Sequence, residues 1–176
     1  MFVFALIGLS AASTHGQSKI ESVYTDLASS KCRTLEVDKE TGASVQSCAG
    51  VGGYKLLVLD DDSRQSITVV DRAGKKHELD YWQVVTTGFF SVSEKAEWRA
   101  VRKNGKLNPL ALIVRVNATE DAENPNRVTS YLAVAKITAS TICVTNKLQP
   151  GANANELARR AADSAQSAPC LKDSVP

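Results

Sequence analysis

The 176 residues are 43% hydrophobic and 23% charged, proportions that suit one globular domain able to bury a core without a partner. The formal net charge is only +2, and the lysines and arginines are interleaved with acids rather than gathered into a stripe. That pattern argues against a nucleic-acid partner.

Met1 to Ala12 form an uncharged apolar run followed by small and polar residues. The run has the length of a signal-peptide core and falls short of the ~20 residues a membrane-spanning helix needs. Residues 1–16 are therefore expected to be a removed leader, cleaved after Ala12 or Gly16, and no stable membrane insertion is expected. No Lys or Arg precedes the run, which points to a start further upstream, and no Cys follows it to accept a lipid. Residues 17–30 make a polar N-terminal arm in which Ile20, Val23, Tyr24 and Leu27 share one side of a short helical turn, or else an extended segment.

Residues 31–148 read as an antiparallel β domain. Its first strand, Cys32 to Asp38, turns at Lys39–Gly42 and returns over Ala43 to Cys48. The glycines at 50, 52 and 53 precede a strand, Tyr54 to Asp60, and not the helix that a phosphate-binding or dinucleotide-binding loop opens, so they mark a tight connection. Asp60, Asp61 and Asp62 lack the spaced ligands of a calcium loop and suit a solvated hairpin tip before Arg64 to Asp71. A turn at Ala73 to Lys76 leads to His77–Asp80 and then to the most aromatic part of the chain.

Tyr81, Trp82, Phe89, Phe90 and Trp98 are either the bulky end of the core or, in part, the lining of a ligand mouth or contact patch. With Arg99 and Arg115 they make up the candidate binding surface. Ser91 to Lys95 reads as a polar link into a central three-strand meander. The first strand of that meander surrounds Trp98, Asn104-Gly105 makes its turn, and Leu110–Val116 and Arg127–Ile137 complete it. Alternation places Leu110, Leu112, Val114 and Val116 on one face and Ala111, Ile113, Arg115 and Asn117 on the other. Arg115 is expected to snorkel or to pair with Glu97 or another acid, with anion binding as the alternative. Asn117-Ala118-Thr119 matches a glycosylation sequon, relevant only in a eukaryotic secretory route.

Thr141–Lys147 reads as a last strand carrying Cys143. Residues 149–176 then hold a C-terminal helix and tail. The alanine-rich segment from Asn155 favours a helix, with Leu157 and Ala161 or Ala162 as a thin apolar stripe and Arg159, Arg160 and Asp163 facing water. Sequential pairing, Cys32 with Cys48 and Cys143 with Cys170, is the cheapest of three connectivities and suits an oxidising compartment. A zinc site is poorly served, since there is no Cys-x-x-Cys and His77 stands alone once the leader with His15 is gone. No cofactor or metal is expected.

No constellation carries chemistry. His77 lies beside a turn between Lys76 and Glu78, where an exposed histidine is expected, and no Gly-x-Ser-x-Gly elbow is present. Cys32-Arg-Thr-Leu-Glu, Gly53-Tyr-Lys-Leu-Leu-Val, Ala96-Glu-Trp-Arg, Ala111-Leu-Ile-Val-Arg-Val-Asn and Ser130-Tyr-Leu-Ala-Val-Ala-Lys-Ile together resemble a group of small exported proteins of Gram-negative bacteria. The resemblance covers Tyr24 to Cys170 and implies export and a shared fold. It carries no activity and no catalytic residue.

The expected protein is mainly β: a single antiparallel β-barrel or β-sandwich domain with a C-terminal α-helix, periplasmic or secreted. Its expected role is binding of a protein or small-molecule ligand, such as inhibition of a hostile enzyme. The alternatives are an envelope hydrolase using acids that spacing does not single out, or a structural envelope component.

Overall fold

The computed structural model describes residues 19–172. The expected leader and the first residues of the arm lie outside the described residues, as does the end of the tail.

Ten strands form one sheet among the described residues. They are β1 (Ile20–Asp26), β2 (Arg33–Val37), β3 (Ser44–Ala49), β4 (Lys55–Asp61), β5 (Arg64–Val70), β6 (Lys76–Glu78), β7 (Phe89–Lys103), β8 (Lys106–Thr119), β9 (Val128–Ile137) and β10 (Ile142–Leu148). The order is β10-β9-β8-β7-β5-β4-β3-β2, with β1 added along β7 and β6 along β5. Every pairing is antiparallel except one parallel bridge, Arg64 to Phe90, where β5 meets the start of β7.

The sheet is open, which corrects the expectation of a barrel. At one end, all five residues of β2 are exposed, so that strand lies off the core and offers nothing to close against. At the other end, the outer edge of β10 is covered by the C-terminal segment: the Leu171 amide donates to the Val144 carbonyl (2.8 Å), and Cys143 is bonded to Cys170. Covering an edge in this way satisfies the strand and blocks further pairing.

Alternation along the meander explains the core. Leu112, Val114 and Val116 of β8 are buried together with Trp98 of β7, Ala133 and Ala135 of β9, and Leu56, Val58, Ile67 and Val69 of β4 and β5. Burying each of the larger aliphatic side chains contributes ~1.5–3 kcal/mol. Ala111 and Ile113, on the opposite face of β8, join Leu132 and Val134 under the helix α2 (Ala154–Ser164).

That helix departs from its expected stripe. Its buried residues are Ala154, Ala158 and Ala162, continued by Ala165, while Leu157 is 49% exposed. Small side chains let the helix axis approach the sheet closely, which a leucine stripe would prevent. Two of the residues expected to face water are tied down instead: Arg159 binds Glu97 and Asp163 binds Arg99.

The arm takes the extended alternative: Ile20–Asp26 form β1, paired with β7 in a register that sets Val23 opposite Trp98. Ser91–Lys95 lies inside β7, where the pairing with β8 shifts between Val92 and Ala96. The segment is polar because the strand is largely exposed there. Turns fell where expected: Asn104 and Gly105 both have positive φ, 51° and 73°. Gly52 has φ of 62°, and a Cβ there would lie 2.3 Å from the Leu107 carbonyl oxygen, so only glycine fits. The two disulfides are Cys32–Cys48 and Cys143–Cys170, the sequential pairing.

Candidate functional site: an aromatic cleft beside the first helix

The site grows out of the β4–β5 hairpin. Asp62 and Ser63 both take positive φ, 47° and 57°, the geometry of a two-residue hairpin turn, so β5 begins at Arg64 directly opposite Asp61. The Phe90 amide donates to the Ser63 carbonyl (3.2 Å), locking the start of β7 against this turn. Gly88 lies tight against the end of β8, where a Cβ on it would sit 2.2 Å from the Thr119 carbonyl oxygen.

Between β6 and β7 the chain forms one helical turn, α1 (Tyr81–Val84), entered through Asp80 in the left-handed conformation at φ 43°. Tyr81 and Val84 are buried, whereas Trp82 is exposed. The Arg64 guanidinium stacks on the Trp82 ring, 4.0 Å from its centroid, and on the Phe89 ring, 4.7 Å from its centroid. Asp62 binds the same guanidinium, while Arg64 Nε is buried without a hydrogen-bond partner.

Asp62, Arg64 and Trp82 border a cleft of about 490 Å³ with Tyr81 and Phe90 among its other lining residues. Tyr81 is 1% exposed and its phenol oxygen has no hydrogen-bond partner. Burial pushes its ionisation well above the ordinary phenol range, so it stays a neutral O–H. Asp61, Glu78 and Asp80 complete the rim.

The seven residues of the expected binding surface divide into three groups. Tyr81, Trp82 and Phe90 line this cleft and Phe89 lies beside it against Arg64; Trp82 and Phe89 are exposed and the other two buried. Trp98 is fully buried, donating its indole N–H to Thr25 Oγ1 (2.8 Å) and packing 6.2 Å from the Tyr54 ring.

Arg99 and Arg115 lie on the helix side of the sheet and hold α2. Arg99 forms a bidentate pair with Asp163 (2.6 and 2.8 Å) and also donates to Ser22. Arg115 donates to Ser130 Oγ (3.1 Å) and to Asn155 Oδ1 (2.9 Å), so the expected pairing with Glu97 is not made. Glu97 is taken by Arg159, whose Nε lies 2.7 Å away, because the helix brings that guanidinium over β7. Burial alone would raise the Glu97 carboxyl. Hydrogen bonds from Arg159 and Ser22, and the charges of Arg159 and Arg99, hold it below the usual carboxylate range.

Arg64 and the rim acids were missed from sequence, although the turn at Asp62-Ser63 sets Asp61 and Arg64 side by side. The expectation of an exposed His77 is corrected too. Its side chain is only 11% exposed, with Nε2 3.1 Å from Asp71 Oδ2, and Asp71 also accepts from the Ala73 and Lys75 amides. The His77 hydrogen bond is the chief reason that the Asp71 carboxyl lies below its ordinary value. This pair braces a turn. No group of three or more His, Cys, Asp or Glu side chains is placed to hold a metal among the described residues, and no described helix is long and apolar enough to cross a membrane.

No family model, curated protein or solved structure matches this chain.

Proposed function

We propose that this protein is an exported, non-catalytic binding protein, periplasmic or secreted, that contacts a protein partner through the cleft beside α1. The observation that carries this is the fate of the aromatics. Tyr81, Phe90 and Trp98 are buried, whereas Trp82 (38% exposed) and Phe89 (51% exposed) stay at the surface, pre-positioned by a stacked arginine. Aromatic residues and arginine are the groups that most often carry binding energy at protein interfaces. Holding them rigid before contact lowers the entropic cost of association. Export is supported by both disulfides, which persist in an oxidising compartment.

The test is quantitative capture from periplasmic extract. Wild type, a Trp82→Ala/Phe89→Ala variant and a Leu157→Ala control, exposed on the far helix, are immobilised in parallel. A specific partner retained by wild type and the control but lost from the double variant supports the proposal. The same partner retained by all three contradicts it.

A further inference from the structure

We propose that the partner presents a lysine or arginine side chain, which enters the cleft beside α1. This deepens the binding function above and rests on it. Four carboxylates, Asp61, Asp62, Glu78 and Asp80, line the cleft against one basic residue, Arg64. Asp62 is committed to Arg64, but Asp61, Glu78 and Asp80 are exposed and form no ion pair among the described residues. The chain as a whole is slightly basic, so this local excess of acid is a feature of the cleft rather than of the protein. The second observation is independent of the acids. Tyr81, 1% exposed and lining the same cleft, has a phenol oxygen with no partner. Such an oxygen can accept a hydrogen from an ammonium or guanidinium group, and leaving it unpaired costs stability that a ligand N–H would restore.

Arg64 shows what the aromatic wall accepts. Its guanidinium already stacks on Trp82 and Phe89, so these rings are set to hold a flat cation, and the rim acids would hold its charge. A cation carried on a protein uses both features, because the surface around it covers the exposed edges of Trp82 and Phe89. A free polyamine would meet the acids and leave the rings wet.

The probes are N-acetyl-arginine amide, N-acetyl-lysine amide, their glutamate and norleucine counterparts, and spermidine. Each is titrated into the oxidised full-length protein while the indole N–H signals are followed by NMR. There are two tryptophans, and buried Trp98 serves as the internal reference for exposed Trp82.

The two basic amino-acid probes are expected to shift Trp82 and leave Trp98 in place, and their affinity should fall severalfold between about 20 and about 300 mM salt. An Asp61→Asn/Glu78→Gln/Asp80→Asn variant, changed only at exposed positions, should keep its melting temperature and bind these probes about tenfold more weakly, each lost charge removing a fraction of a decade.

Equal shifts from the glutamate or norleucine probes, or unchanged binding by the triple variant, overturn the proposal. If no probe moves Trp82 while partner capture still depends on Trp82 and Phe89, the binding function stands and the basic side chain falls. Spermidine binding as tightly as the arginine probe, with capture indifferent to Trp82, would replace a protein-borne cation by a free polyamine.

Discussion

Replacing Glu97 by Gln should loosen the helix α2 from the sheet, by an amount that the geometry bounds. Glu97 is only 13% exposed and accepts two hydrogen bonds from Arg159, at 2.7 and 3.2 Å, and one from Ser22. A hydrogen bond to a charged group contributes ~1.5–3 kcal/mol when well buried. Arg159 is 42% exposed, however, so solvent screens much of that. Glutamine keeps a partner for Ser22 but leaves the Arg99 and Arg159 guanidiniums facing each other without the intervening charge. The net cost is about 1–2 kcal/mol, a fall in melting temperature of about 2–8 °C for a chain of this size.

Thermal unfolding of wild type, Glu97→Gln, Arg159→Met and the double variant measures the coupling, expected at ~0.5–1 kcal/mol. The pH dependence follows from the lowered carboxyl. Because Glu97 ionises more readily folded than unfolded, its contribution is complete above the unfolded carboxyl value of about 4.3 and is lost as pH falls through the lower folded value. The gap between wild type and Glu97→Gln should therefore be constant from about pH 6 to pH 8 and should narrow as pH falls below the unfolded carboxyl value of about 4.3. A gap absent at neutral pH, or one unchanged in acid, would refute the role assigned to this network.

Leu112→Ala, at a fully buried position opposite Trp98 and Ala135, should destabilise by about 2–5 kcal/mol in urea titration; a change under ~0.5 kcal/mol would deny that face of β8 to the core. Cys143→Ser should lower the melting temperature in oxidising buffer through loss of the loop constraint, ~3 kcal/mol by the chain-entropy argument. It should also speed proteolysis after α2, and an unchanged melting curve would count against the C-terminal staple. Ala158→Leu, at the centre of the alanine face with no exposed surface, should cost ~1–3 kcal/mol by overpacking. Leu157→Ala on the opposite side should change stability by less than ~0.5 kcal/mol in the same titration.

Much of this fold was legible because its signals are local. Alternation along Leu110–Val116 identified which residues of β8 share each face, Asn104-Gly105 marked a hairpin by its turn chemistry, and the short spans between cysteines favoured the pairing found. The features that escaped depend on distance. No pattern near Glu97 announces Arg159, 62 positions away, and the polarity of Ser91–Lys95 concealed a strand that is merely exposed. On α2 the hydrophobic Leu157 faces water while the alanines at 154, 158, 162 and 165 are buried, because close helix–sheet packing selects small size over hydrophobicity. The cleft shows the same division. Tyr81, Trp82, Phe89 and Phe90 were singled out by composition, and Glu78 and Asp80 stand beside them in sequence, but Arg64 and Asp61 reach them only through the β4–β5 turn and the β5–β7 bridge, contacts with no counterpart in sequence spacing.

Trp82 is the proposed anchor for a partner, and isothermal calorimetry of the captured partner against wild type and Trp82→Ala tests this directly. The expected result is an affinity loss of at least about thirtyfold, as for a central interface residue, with the melting temperature unchanged because the side chain lies outside the core. Equal affinity for the two proteins would contradict it.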